Sequence, residues 1–95
     1  MTKTELARTI AEETITDMIA AVARKSPTPE KHVAAYEAHR KELVEMILAT
    51  DTEDEIIYRL KGSNKFAGLR AMAQTNPKLM AAYVEIGKKI AEETE

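Results

Sequence analysis

Two histidines, and the carboxylates that follow the second one, are the residue types best suited to metal chemistry. His39, Glu42 and Glu45 are spaced three apart, and His32 lies seven residues before His39. Carboxylate-bridged metal sites in helical bundles use Glu-x-x-His from two helices together with further inward-facing glutamates. Here the order is reversed, and the acids of the first predicted helix lie on its outer face. We therefore expect no metal site, no cofactor, and histidines that face solvent.

Covalent and phosphate-transfer chemistry finds little support in the sequence. The chain has no cysteine, which excludes thiol nucleophiles, thiolate zinc sites and disulfides. Its serines, Ser26 and Ser63, lie at predicted helix boundaries, where capping explains a hydroxyl. The segment Lys61–Lys65 lacks the second glycine and the preceding strand of a phosphate-binding loop. No pair of carboxyl groups is set apart as an acid and a base, so we expect a protein that is not an enzyme.

Charge segregation is the most informative pattern in the chain. No acid occurs from Ile56 to Lys78, whereas the segment Asp51–Glu55 just upstream is strongly acidic. Two predicted helix starts also fall in the basic segment, and the free N–H groups of helix starts bind anions. One interpretation is a surface for phosphate, nucleic acid or an acidic partner. The other is a solvated face whose lysines neutralise the neighbouring acids.

The basic segment supplies the candidate anion- or partner-binding residues. They are Arg59, Lys61, Ser63, Asn64, Lys65 and Arg70. The two short helices predicted on either side of Gly62 have about the size of a helix-turn-helix. However, Tyr58 stands where a small residue would let the helices cross, and Gly68 stands where an apolar core residue is needed. A DNA-reading motif is therefore weakly supported, and a corner built for packing explains the pattern as well.

The second predicted helix carries three candidate interface residues. Arg40 projects into an apolar stripe that also contains Tyr36. Such an arginine must pair with a carboxylate, extend its head to water, or reach an external anion. We favour extension to water, or pairing with an acid of another helix or subunit. Met46 is predicted on the flank of the same helix, where it would extend the apolar surface toward a partner.

The elements that must position these residues are helices. Alanine, glutamate, lysine and leucine are abundant helix formers, and only three glycines and three prolines interrupt the chain. No segment alternates apolar and polar residues as a strand would. We predict an all-α fold, a small bundle of about five helices in a single domain over residues 1–95. Three longer helices pack together, and two short ones form a corner between the second and the last.

Capping signals set the predicted helix bounds. Thr2-x-x-Glu5 and Thr52-x-x-Glu55 have capping-box spacing, and two Thr/Asn-Pro pairs place proline at a first helical position. The first predicted helix runs from Thr2 to Lys25, the second from Pro29 to about Ala49, and the third from Thr52 to near Lys61, with Gly62 as its C′ residue. The fourth begins after a cap at Ser63 or Asn64, and the fifth begins at Asn76-Pro77. The apolar stripe predicted for the last helix consists of Leu79, Met80, Tyr83, Ile86, Gly87 and Ile90.

Net charge and the lack of long apolar segments bear on which classes of protein this chain could belong to. The net charge is −2, no apolar run approaches the roughly 20 residues that cross a bilayer, and the first residues lack the apolar core of a signal peptide. A cytoplasmic protein without membrane association is expected. The leading hypothesis is an interaction or accessory protein that binds a protein partner or itself. The alternative is nucleic-acid or anionic-ligand binding through residues 59–78.

Overall fold

Six α-helices and no strand make up the protein in a computed structural model that describes all 95 residues. The helices are α1 (Lys3–Lys25), α2 (Pro29–Ala38), α3 (Arg40–Thr50), α4 (Glu53–Leu60), α5 (Lys65–Thr75) and α6 (Pro77–Thr94). The predicted all-α bundle is confirmed. None of the six combines the length and the apolar character that crossing a membrane would require.

Side-chain caps begin four of the helices where the sequence predicts them. The Thr2 hydroxyl accepts from the Glu5 N–H at 3.1 Å, and the Glu5 carboxylate accepts from the Thr2 N–H, also at 3.1 Å. Thr52, Asn64 and Asn76 each accept a hydrogen bond from the backbone N–H three residues later. These bonds satisfy N–H groups that have no partner inside the helix. Of the two caps considered for α5, the asparagine is the one used.

His39 divides the predicted second helix into α2 and α3, so the single helix from Pro29 to about Ala49 is wrong. The His39 N–H donates to the Tyr36 carbonyl at 3.1 Å, one residue short of the α-helical spacing. The His39 carbonyl then accepts from the Leu43 N–H at 3.0 Å, which is the first hydrogen bond of α3. Because α2 and α3 each contact both α1 and α6, the break lets each helix take its own direction across them.

The core is built around α1, which packs against α2, α3, α4 and α5. Isoleucine and leucine side chains from five helices have no exposed surface at its centre. They are Ile15, Ile47, Ile56, Leu69 and Leu79. The prediction that the three longer helices pack together needs correction, because α6 packs on α2, α3 and α5 rather than on α1. Helices α2, α3 and α5 each contact both, and so connect α1 to α6.

The two short helices α4 and α5 form the predicted corner, and both pack on α1. Gly62 directly follows the C-cap residue Lys61, as predicted, but without the left-handed backbone common at that position. Gly68 of α5 lies against the C-terminal end of α4. A Cβ at Gly68 would stand 3.0 Å from the Arg59 carbonyl oxygen and 3.0 Å from Leu60 Cδ2. The glycine that seemed to lack a core side chain is therefore a point of backbone contact.

Candidate functional site

The basic segment does not form one continuous surface. On α4, Arg59 Nε lies 3.0 Å from the carboxylate of Glu55, one turn earlier. The Lys61 ammonium lies 4.9 Å from the centroid of the Tyr58 ring. Neither cation lines a cleft with Arg70. For Arg59, the structure matches the interpretation in which basic residues neutralise nearby acids.

Ser63, Asn64 and Lys65 lie at the start of α5, beside α1. The Lys65 N–H donates to the Asp17 carboxylate at 3.2 Å, and the Lys65 ammonium donates to the Gly62 carbonyl at 2.8 Å. The Asn64 side-chain oxygen accepts from the Ala67 N–H at 3.1 Å, which uses one of the free N–H groups of this helix start. Donors that the sequence seemed to offer to an external anion are therefore partly used within the protein, and Asp17 brings a negative charge to this end of α5.

Arg70 is the member of the predicted set that the fold brings beside further cations. It lines a cleft of about 380 Å³ between α1 and α5 together with Arg24 and Lys25 from the last turn of α1. The Arg70 guanidinium lies 4.9 Å from the centroid of the half-buried Phe66 ring, which lines the same cleft. None of these three cations forms an ion pair with a carboxylate.

Sequence reasoning missed Arg24 and Lys25. Basic residues in a last helical turn have an ordinary explanation, since they complement the negative end of the helix dipole. Their proximity to Arg70 depends on how α5 lies against α1, and no pattern within either segment reports it. The available signal was the absence of a neighbouring acid in the segment Ala20–Thr28.

The cleft continues beneath the loop that joins α1 to α2. This adjoining part, of about 320 Å³, is lined by Lys25, Ser26, His32 and Arg70 among others. His32 Nδ1 lies 2.7 Å from the Ser26 hydroxyl and 3.1 Å from the Thr28 hydroxyl. These hydrogen bonds hold the loop in place, and the remaining lining is largely apolar, from Val22, Pro27 and Phe66 among others.

Arg40, the first interface candidate, is tied to two acids within the chain. Its Nη2 lies 2.9 Å from the Glu37 carboxylate and its Nη1 lies 3.5 Å from the Glu12 carboxylate. Nη1 also donates to the Glu12 carbonyl at 3.3 Å. Glu12 belongs to α1, so Arg40 pairs with an acid of another helix, which is one of the arrangements expected from its position.

The other two interface candidates are also engaged within the fold. Tyr36 is half-buried against the core, and burial raises its pKa, as it does that of Tyr83 nearby on α6. Met46 is 5% exposed and belongs to the core. The prediction that Met46 lies on a flank open to a partner is wrong, because α3 packs on both α1 and α6 and its buried face is wide enough to include Met46 beside Leu43.

His39 joins the start of α3 to the end of α6. Its side chain is 13% exposed, so the expectation that it faces solvent is wrong. Nε2 lies 2.8 Å from the Glu93 carboxylate and Nδ1 lies 3.1 Å from the Glu42 carboxylate. Hydrogen bonds to Glu93 and then to Glu42 raise the pKa of His39. The Lys89 ammonium, 3.5 Å from Glu42, extends the cluster along α6.

The His39-x-x-Glu42-x-x-Glu45 pattern does not gather around a common point. Each ring nitrogen of His39 already faces a carboxylate. The Glu45 carboxylate instead lies 2.9 Å from Arg8 of α1. No group of three or more histidine, aspartate or glutamate side chains is arranged to hold a metal ion.

We expect the stabilising effect of His39 to depend on pH. Because its pKa is raised on folding, its contribution is fully present below its ordinary value of 6.5 and is lost as the pH rises through the raised value. The pKa of Glu42 is lowered mainly by His39, so its contribution is present above 4.5 and is lost as the pH falls through the lowered value. His39→Gln should therefore reduce stability most between about pH 5 and 6.5.

Urea denaturation of the wild type and of His39→Gln at a series of pH values measures this effect. The loss should be small beside that of a core substitution, since Glu42 and Glu93 are about half exposed. His32→Gln is the matched control, because the partners of His32 are hydroxyl and carbonyl groups. A stability difference for His39→Gln that stays constant from pH 5 to pH 8 would contradict the assignment.

An outward stripe on α6 is only partly covered by the rest of the chain. It consists of Met80, Val84, Gly87 and Ala91, whose spacings of four, three and four residues match the seam of a coiled coil. Met80 is 38% and Val84 is 44% exposed. At Gly87 no atom lies within 4 Å of the place that a Cβ would occupy. The sequence assigned Met80 and Gly87 to the buried stripe of this helix and missed Val84.

No protein-family model, curated protein or solved structure matches the chain.

Proposed function

We propose that this protein is a non-enzymatic interaction protein, and that it associates with a second copy of itself through the outward stripe of α6. The stripe is the observation that carries the proposal. Two larger apolar side chains, Met80 and Val84, are exposed on the same face as Gly87 and Ala91. Exposed apolar side chains in a coiled-coil spacing gain free energy when a second helix covers them.

The order of residue sizes along the stripe favours an antiparallel pair. In a dimer with two-fold symmetry, both copies use the same surface, so residue i of one copy contacts residue j of the other, and residue j contacts residue i. If the axis passes near the middle of α6, Val84 faces Gly87 of the second copy, and Met80 faces its Ala91. A larger side chain then meets a smaller one in all layers of the seam. A parallel pair would instead place two copies of Met80 together and two copies of Gly87 together.

The distribution of charge on α6 favours the same orientation. From Pro77 to Val84 the helix carries Lys78 and no acid, whereas its last turn contains Glu92 and Glu93, and Glu95 is its C-cap residue. The N-terminal end of a helix also has a partial positive charge from the peptide dipoles. Antiparallel packing brings the acidic end of each α6 beside the positive end of the other. Parallel packing would place the acidic ends together.

Sedimentation equilibrium of the wild type and of Val84→Glu tests the proposal. We expect a wild-type dimer and a monomeric variant, because the glutamate would bring two charges into the centre of an apolar seam. Val84 is substantially exposed, so the substitution should leave the fold of the monomer intact, as circular dichroism would report.

Gly87→Leu separates association from folding. The space around Gly87 is open within one chain, and leucine is a better helix former than glycine. The variant should therefore keep or raise the stability of the monomer, yet weaken the dimer by filling the space that Val84 of the second copy needs. A wild type that stays monomeric at high protein concentration would refute self-association, and the stripe would then be tested against helices from other proteins.

A further inference from the structure

The cleft between α1 and α5 concentrates positive charge in a protein that is acidic as a whole. Arg24, Lys25 and Arg70 line it, and none of the three has a carboxylate partner, although the net charge of the chain is −2. Unpaired cations beside one another repel, and a concave surface strengthens the field between them. An anion bound in the cleft would relieve that repulsion.

The one acid among the lining residues is Asp17, and it forms no ion pair with these cations. Its carboxylate accepts the Lys65 N–H at 3.2 Å, and it lies on α1 about two turns before Arg24. Elsewhere the lining is neutral or basic, and it includes the exposed Ser63 and Asn64 at the start of α5. Three cations and one acid therefore give the lining a net positive charge.

The neighbouring Phe66 ring restricts the position of the Arg70 side chain. Its guanidinium lies 4.9 Å from the Phe66 ring centroid, a distance at which the cation is attracted to the ring face. This contact limits the side-chain freedom that would otherwise be lost on binding. The planar guanidinium carries N–H groups along its edge that can donate to two oxygens of a phosphate.

We infer that this α1–α5 cleft binds phosphate groups, carried either by a small phosphorylated molecule or by a single-stranded nucleic acid. Two arginines and a lysine supply the charge, and Arg70 supplies the paired donors. The cleft and the α6 stripe share no residue, but Arg70 and Met80 both line a groove between α5 and α6, so phosphate binding is tested separately from the proposed self-association. The cleft also differs from the surface expected from residues 59–78, since Arg24 and Lys25 replace Arg59 and Lys61.

Fluorescence polarisation with a labelled single-stranded oligonucleotide, and calorimetric titration with inorganic pyrophosphate, test the inference at low salt. Binding should weaken steeply as salt rises, because the cations release condensed counterions. Arg70→Glu should weaken binding by about tenfold or more, since it replaces an attraction with a repulsion inside a cleft. Lys25→Glu should act in the same direction. Repeating the titrations with Val84→Glu keeps the outcome separate from any dimer.

Lys61→Glu is the charge-matched control, since Lys61 belongs to the same basic segment but lies outside the cleft. It should change binding far less than Arg70→Glu does. Binding of pyrophosphate as well as the oligonucleotide would identify a small phosphorylated ligand as sufficient, and binding of the oligonucleotide alone would identify a nucleic-acid strand. Absence of binding by both probes, or equal losses from Lys61→Glu and Arg70→Glu, would overturn the inference.

Discussion

Replacing Ile15 with alanine is expected to lower the free energy of unfolding by about 2–5 kcal/mol. Ile15 has no exposed surface and lies midway along α1, the helix on which α2, α3, α4 and α5 pack. The variant loses the transfer free energy of the removed carbons and leaves a cavity that four helices cannot all close. A domain of this size has a total stability on the order of 5–15 kcal/mol, so the loss is a large part of it.

A graded series makes this prediction sharper. Ile15→Val should cost only about 0.5–1.5 kcal/mol, because it removes a single methyl group. Thr16→Ala, at the exposed neighbouring position, should stay within about 0.5 kcal/mol of the wild type. Chemical denaturation monitored by far-ultraviolet circular dichroism gives all three values. Losses from Ile15→Ala no larger than those from Thr16→Ala would mean that the core is not centred on α1.

Gly68→Leu is expected to destabilise the protein by roughly 1–3 kcal/mol, although leucine is the better helix former. The first carbon of any side chain at this position would stand 3.0 Å from the Arg59 carbonyl oxygen. That oxygen belongs to the backbone of α4 and cannot move unless the helix moves. The remaining leucine atoms would force α4 and α5 apart and strip contacts from Leu60, which is buried.

The other helical glycine provides the matched control. Gly87→Ala adds a Cβ in open space and should stabilise the monomer by up to about 1 kcal/mol through helix propensity alone. Thermal unfolding of Gly87→Ala and of Gly68→Leu, both in the Val84→Glu background to exclude association, should therefore give shifts of opposite sign. A Gly68→Leu variant as stable as its parent would show that the corner between α4 and α5 can open without loss.

Much of the fold was predictable because the deciding interactions are local. A threonine or asparagine cap bonds to an N–H three residues away, so the starts of α1, α4, α5 and α6 are contained in short segments. Buried positions followed the helical period in the same way, as with Leu43, Ile47 and Leu69. In each case the relevant partners lie within a turn or two, and residue type alone indicates them.

The break at His39 and the position of Met46 depend on the tertiary structure. No glycine or proline marks the end of α2, and the carboxylate that holds His39 Nε2 belongs to Glu93, at the far end of the chain. Met46 is buried because α3 packs between α1 and α6, which widens its buried face beyond the stripe that the sequence indicated. A sequence pattern assumes an uninterrupted helix, and only packing against α1 and α6 shows that it is interrupted.

The candidate binding residues show the same difference: residue type identified single residues, whereas the tertiary structure decided which of them lie together. Arg70 was identifiable from the acid-free segment in which it lies, but its neighbours Arg24 and Lys25 come from another helix. Likewise, the apolar character of α6 was evident, whereas the exposure of Met80, which the sequence placed in the buried stripe, depended on which helices cover it. Residue types and local bonds determine where helices form. How those helices lie against one another determines which charges meet and which apolar faces stay uncovered, because these contacts join residues distant in the chain.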